Sequence, residues 1–82
     1  MEIKALVITQ FERYWQLYLL KHDLRADEYP YVHSTEQLLG YDDVKIILLE
    51  EPEQLHDWQD MEAMIEERGY EVERQQLFTA RS

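Results

Sequence analysis

Two runs stand out in the pattern of apolar and polar positions: Val44-Lys45-Ile46-Ile47-Leu48-Leu49 and Ile3-Lys4-Ala5-Leu6-Val7-Ile8. Each is apolar at every position but one. Near-continuous apolar character predicts strands buried on both faces, as at the centre of a parallel sheet. The chain between them is too long for a hairpin and must cross over. It carries the pattern to do so. From Phe11 the spacing of Phe11, Tyr14, Trp15 and Tyr18 is that of one helix face, and Leu17, Leu20 and Leu24 widen the stripe. Lys21 and His22 fall in its last turns, where exposed carbonyls favour positive groups.

Further elements follow in order. Tyr29-Pro30-Tyr31-Val32-His33 is extended, and its proline confines it to a strand start or an edge. Ser34-Thr35-Glu36-Gln37 offers a capping box with Ser34 as N-cap and Gln37 reaching back, and Gly40 supplies a left-handed stop. The strand at 44–49 ends in Glu50-Glu51-Pro52. A third helix is predicted from about Glu53 to Arg68, with Leu55, Trp58, Met61, Met64 and Ile65 on one face and Gly69 as its cap. Tyr70-Glu71-Val72-Glu73 alternates like a half-exposed last strand. Residues 74–82 read as a loosely held tail, with Leu77 and Phe78 either extending that strand or offered to another surface.

These elements predict a single α/β domain over residues 1–82, a three-layer β-α-β-α-β-α-β unit with a four-stranded, mainly parallel sheet. The two most apolar strands must be central, and right-handed crossovers then give the order 2-1-3-4. In that order the first helix covers one face alone while the other two share the opposite face. A lone helix cannot cover four strands, so part of its face is expected to be open to a partner or a second copy.

Charge and composition narrow the function. Eighteen acids against eight bases give a net charge of −10. Phosphate-backbone binding draws on clustered Lys and Arg, so direct nucleic-acid binding is not expected. A basic protein partner, or mimicry of nucleic acid, is compatible with the charge, although an acidic surface also serves solubility alone. The chain has no cysteine, which excludes disulfides and thiolate chemistry and fits a reducing compartment. No run reaches the roughly 18 apolar residues of a membrane span, and the amino terminus has no signal-sequence pattern. A cytoplasmic protein is expected.

Chemistry is sparse. In an open parallel sheet ligands bind beyond the carboxyl ends of the strands, where the order reverses. Thr9, Gln10, His33, Ser34, Thr35, Glu50 and Glu51 fall there, and a histidine beside two carboxylates is compatible with a metal or with acid-base work. Ordinary roles explain the same residues: Ser34 caps a helix, Glu50 and Glu51 precede one, and His33 sits on an edge. No glycine follows the first strand to bring backbone amides against a phosphate. No catalytic residue, cofactor or metal ligand is therefore assigned. Two tryptophans and six tyrosines are more than a small core needs. Tyr14, Tyr18, Tyr29 and Tyr31, adjacent to the incompletely covered face, are the candidate partner-binding anchors.

The stretch from Tyr31 through Ser34-Thr35-Glu36-Gln37-Leu38-Leu39-Gly40 to Leu49 resembles a pattern in short bacteriophage-encoded proteins. Those are small Rossmann-like or P-loop-like α/β units without a Walker A motif, in which a strand, an S-x-E-Q-L-x-G turn and a second strand recur. The phage pattern often continues into Gly-Thr-Trp, where this chain has Glu50-Glu51-Pro52. The resemblance implies a phage source and a Rossmann-like fold, and it carries no catalytic residue across. The expected function is a non-enzymatic interaction module, a phage accessory or host-modulating factor binding a protein partner through acidic and aromatic surface, with homodimerisation as one mode. The alternatives are a small ligand- or metal-binding enzyme-like domain at the ends of strands 1–3 and a nucleic-acid mimic.

Overall fold

The computed structural model describes residues 2–77. Its elements are β1 (Ala5–Ile8), α1 (Glu12–His22), β2 (Tyr31–Val32), α2 (Thr35–Leu39), β3 (Lys45–Leu49), a 3-10 turn (Pro52–Gln54), α3 (Trp58–Arg68) and β4 (Val72–Gln75). The strands form one sheet in the order β2-β1-β3-β4, parallel throughout. The expected topology is the one found. β1 and β3 are central because each buries both faces: Ala5, Leu6, Val7 and Ile8 are all buried, as are Ile46 to Leu49. β2 lies at an edge, where Pro30 precedes it and gives its carbonyl to the Val7 amide at 3.0 Å.

The pleat sends alternate side chains to opposite layers. Leu6, Ile8, Ile46 and Leu48 pack with Leu38 of α2 and with Trp58, Met61 and Ile65 of α3. Ala5, Val7, Ile47 and Leu49 pack with Tyr18 of α1 and with Leu77. α1 thus serves one face alone. The gap expected there is reduced by the sequence of β4, whose residues on that face are Glu73 and Gln75. Polar side chains at the edge of the sheet remove the need for a second helix.

Several boundaries differ from the sequence reading. Phe11 is the extended N-cap of α1 and its ring is exposed. Leu17 and Leu20 point outward, so the core stripe of α1 is Tyr14, Trp15, Tyr18 and Leu19. Ser34 accepts the Gln37 amide at 3.3 Å as a cap should, but Gln37 Oε1 accepts from the amide of His33 at 2.8 Å, one residue before the N-cap. Gly40 is right-handed (φ −76°), because the last carbonyls of this five-residue helix are met by tight bonds from Gly40 to Gln37 and from Tyr41 to Leu38. The left-handed residue comes later, at Asp43 (φ 58°).

The third helix begins at Trp58 rather than near Glu53. A 3-10 turn buries Pro52, and the chain then extends at Leu55 (ψ 142°) before α3 starts. Apolar spacing of three residues is common to both helix types, so the pattern did not separate them. Gly69 is left-handed (φ 72°) as expected. β4 is displaced two residues from its expected span, and residues 74–77 are held: Leu77 is buried against the α1 layer. Phe78 and the rest of the tail lie outside the described residues.

Candidate functional site

Among the described residues, three places are the strongest candidates for a site. The first is the carboxyl edge of the sheet. Ile8 is paired with Val32 and with Leu48, which sets Thr9, His33 and the end of β3 side by side. Thr9 is fully buried, and its hydroxyl has no hydrogen-bond partner among the described residues. Its carbonyl accepts from the Tyr31 hydroxyl at 3.4 Å.

Glu50 and Glu51 are both left-handed (φ 44° and 33°), which turns the chain sharply before Pro52. The Glu50 carboxylate accepts the Leu77 amide and ties the end of β3 to the chain beyond β4. Glu51 accepts from Gln54 Nε2 at 3.1 Å, and the exposed His33 ring lies against Tyr31 with ring centres 5.2 Å apart. Glu50, Glu51 and His33 are therefore engaged in local structure, and no group of three metal-ligating side chains occurs among the described residues.

The second place is a cleft of about 240 Å³ between the last turns of α1 and the sheet. Tyr18, His22, Leu24 and Tyr29 form its upper wall, and Ala5, Lys45, Ile47, Glu73 and Gln75 its floor. Lys45 and Glu73 form an ion pair across that floor. The Glu73 carboxyl is held below its ordinary range by hydrogen bonds from Lys45 and Gln75 and by the Lys45 charge, while Lys45 is raised chiefly by Glu73. Tyr18 is 4% exposed, and its phenol is pushed up by burial first and then by Glu73 and Tyr29. It stays a neutral donor at pH 7. In the sequence Lys45 is only the lone polar break in the most apolar strand, and it is the pairing of β3 with β4 that brings Glu73 onto the same face.

The third place is the outer surface of α1. Leu20 is 79% exposed, Leu17 43% and Phe11 40%. Beside Leu20 a groove of about 460 Å³ runs between α1 and residues 23–26, lined by Trp15, Leu19, Leu20 and Leu24 with Asp23 at its rim. Trp15 is fixed there by its indole N–H, which donates to the Tyr29 carbonyl at 2.7 Å, and by stacking on Tyr31.

The four candidate tyrosines do not form an exposed set. Tyr18 belongs to the core, because its face of α1 is turned onto Ala5 and Ile47. Tyr29 and Tyr31 are half-buried beneath Trp15, and Tyr14 is half-buried with its ring edge-on to Phe11 at 5.2 Å. The exposed apolar residues of α1 and its N-cap are Leu20, Leu17 and Phe11, all of which fall in the stripe predicted from the sequence. Helical spacing alone does not distinguish the inner edge of a wide stripe from its outer edge. No helix among the described residues is long and apolar enough to cross a membrane. No family model, curated protein or solved structure matches the chain at a significant level.

Proposed function

We propose that the protein is a non-enzymatic interaction module that binds a partner protein through the outer face of α1. The observation that carries this reading is Leu20, which stands 79% exposed beside a groove floored by Trp15, Leu19 and Leu24. A leucine so exposed buries little of its side chain within the chain, whereas a partner's apolar side chains can cover it and fill the groove next to it.

The charge selects the partner. At −10 the protein disfavours a second copy of itself and favours a segment whose apolar ridge is flanked by Lys or Arg. An amphipathic helix of that kind presents anchors at the spacing the groove can accept. Asp23 at the rim and Glu12 one turn from Gln16 supply the acids on the α1 side.

The test is fluorescence anisotropy with three labelled peptides: a basic amphipathic helix, an acidic one of the same apolar face, and a basic peptide without an apolar face. The basic amphipathic peptide should bind, and Leu20→Gln, which removes the apolar side chain without adding a charge at the end of α1, should weaken it with little change in the unfolding midpoint. Equal binding of the basic peptide that lacks an apolar face, with competition by DNA, would replace this reading with nucleic-acid mimicry. Light scattering that shows a stable dimer, dissociated by Leu20→Gln, would assign the surface to self-association.

A further inference from the structure

We propose that the cleft between the last turns of α1 and the first halves of β1 and β3 is a binding site for a small organic carboxylate with an apolar body. The sequence contains three lysines, and all three lie around this end of the α1 layer. Lys4 and Lys45 line the cleft, and Lys21 reaches over the same face to the Leu77 carbonyl at 3.4 Å. In a chain of net charge −10 this is a concentration of positive charge where the general surface is negative. Against Lys4 and Lys45 the lining sets one carboxylate, Glu73. Glu28 approaches Lys4 at 3.9 Å, with the lysine side chain more than half exposed, so that pair is loose and easily exchanged.

The remaining walls define the rest of the ligand. Ala5, Ile47 and Leu24 are apolar, and the rings of Tyr18 and Tyr29 close the sides. A charged head with an apolar body fits such a lining better than a bare inorganic anion, which leaves the apolar wall unfilled. Two neutral donors stand near the head, the Tyr18 phenol and the Gln75 amide that already bonds Glu73, and the His22 ring lies 4.6 Å from Tyr18 between ring centres. The cleft is smaller than the roughly 300 Å³ at which drug-sized sites begin. One ring or a short branched chain is the size it admits. The negative end of α1 does not oppose the anion strongly, since Asp23 and Leu24 amides already cap the carbonyls of Leu20 and Leu19.

Lys45 is the residue on which recognition turns. Glu73 holds it in place when the cleft is empty, and an incoming carboxylate competes with Glu73 for the same ammonium. Two substitutions therefore act in opposite directions, which a merely structural pair would not do. Lys45→Met keeps the aliphatic stem and removes the charge, and it should weaken binding about tenfold, the loss of one charge-assisted hydrogen bond. Glu73→Gln frees Lys45 and should strengthen binding.

The experiment is a two-dimensional NMR titration of the whole protein with benzoate, benzylammonium, benzamide and acetate. Benzoate is expected to give saturable shifts at Ala5, Tyr18, Ile47 and Glu73, with weaker effects from benzamide and acetate and none from benzylammonium. The proposal is overturned if benzylammonium saturates the same residues as well as benzoate, if acetate equals benzoate, if no probe saturates, or if Lys45→Met leaves benzoate binding unchanged in a folded protein.

Discussion

Glu50 and Glu51 are consecutive left-handed residues with side chains, and the second of them gives a direct measure of what the turn after β3 costs. A residue with a Cβ loses about 1–2 kcal/mol in this conformation. Glycine loses nothing there but gives up about 0.5–1 kcal/mol of additional chain entropy on folding. At Glu51 (φ 33°) the exchange to glycine also removes one exposed hydrogen bond from Gln54 Nε2, at 3.1 Å, which contributes little in water. Glu51→Gly should therefore stabilise the protein by about 0.5 kcal/mol, and by ~1 kcal/mol at most. In a chain of this size that is a rise in Tm of roughly 2–8 °C.

Glu51 also carries one of the charges behind the net −10, so part of any gain could come from reduced self-repulsion. Glu51→Gln removes the charge and keeps the Cβ. Urea unfolding of the three proteins in one buffer separates the effects, and the expected order is Glu51→Gly above Glu51→Gln, with the wild type at or below the latter. If the glycine variant is no more stable than the glutamine variant, the backbone at 51 is unstrained and the account of the turn is wrong. Glu50 is unsuited to the same test because its carboxylate accepts the Leu77 amide, so its loss would release the chain beyond β4.

Other consequences are as accessible. Met61 is fully buried among Leu6, Ile46 and Ile65, and Met61→Ala should cost about 2–5 kcal/mol in denaturant unfolding. Ser34→Ala removes the acceptor of the Gln37 amide and should cost about 1 kcal/mol, seen also as faster amide exchange in α2. Burial, Glu73 and Tyr29 raise the Tyr18 phenol above 10.0. Its contribution is then complete below the unfolded value near pH 10 and is lost as pH rises through the folded value, so Tyr18→Phe should flatten the alkaline limb of the stability curve above about pH 10. Glu73 works in the opposite sense: its lowered carboxyl contributes above the unfolded value of 4.5 and loses that contribution as pH falls through the folded one. Glu73→Gln should flatten the acid limb.

The topology was legible because burial of both faces leaves a continuous apolar run, and only β1 and β3 have one. The short α2 was legible from Ser34 and Gln37, whose cap bonds are local chemistry. What sequence pattern could not supply was orientation around a helix that is apolar over most of its surface. Tyr18 and Leu20 are two residues apart, and one is buried while the other is the most exposed large apolar residue described. Both fit a wide stripe. Placement of Tyr18 follows from the register of Ala5 and Lys45, which only the paired sheet fixes. The cleft was hidden for a related reason: Lys45 and Glu73 are 28 positions apart, and their meeting depends on β4 pairing with Ile47 opposite Glu73.

The lone helix on one face explains why both proposed sites lie there. On the opposite layer α2 and α3 leave β1 and β3 fully covered, and the exposed residues of α3 are almost all polar. On the α1 layer the chain meets the shortage of cover in two ways that have different consequences. Over β4 it substitutes polar side chains for apolar ones, which creates a charged floor under the rim of α1. Over the β1-β2 side it turns residues 23–29 back beneath the helix, so that Trp15 and Leu24 pack against Tyr29 and Leu20 is left outside. The first solution yields a small polar cleft suited to a ligand with a charge, and the second an apolar groove suited to a protein. Leu24 lines both, but Lys45 lines only the cleft and Leu20 only the groove, so one substitution at each should affect its own site, and a double variant should show the two losses side by side with little added coupling.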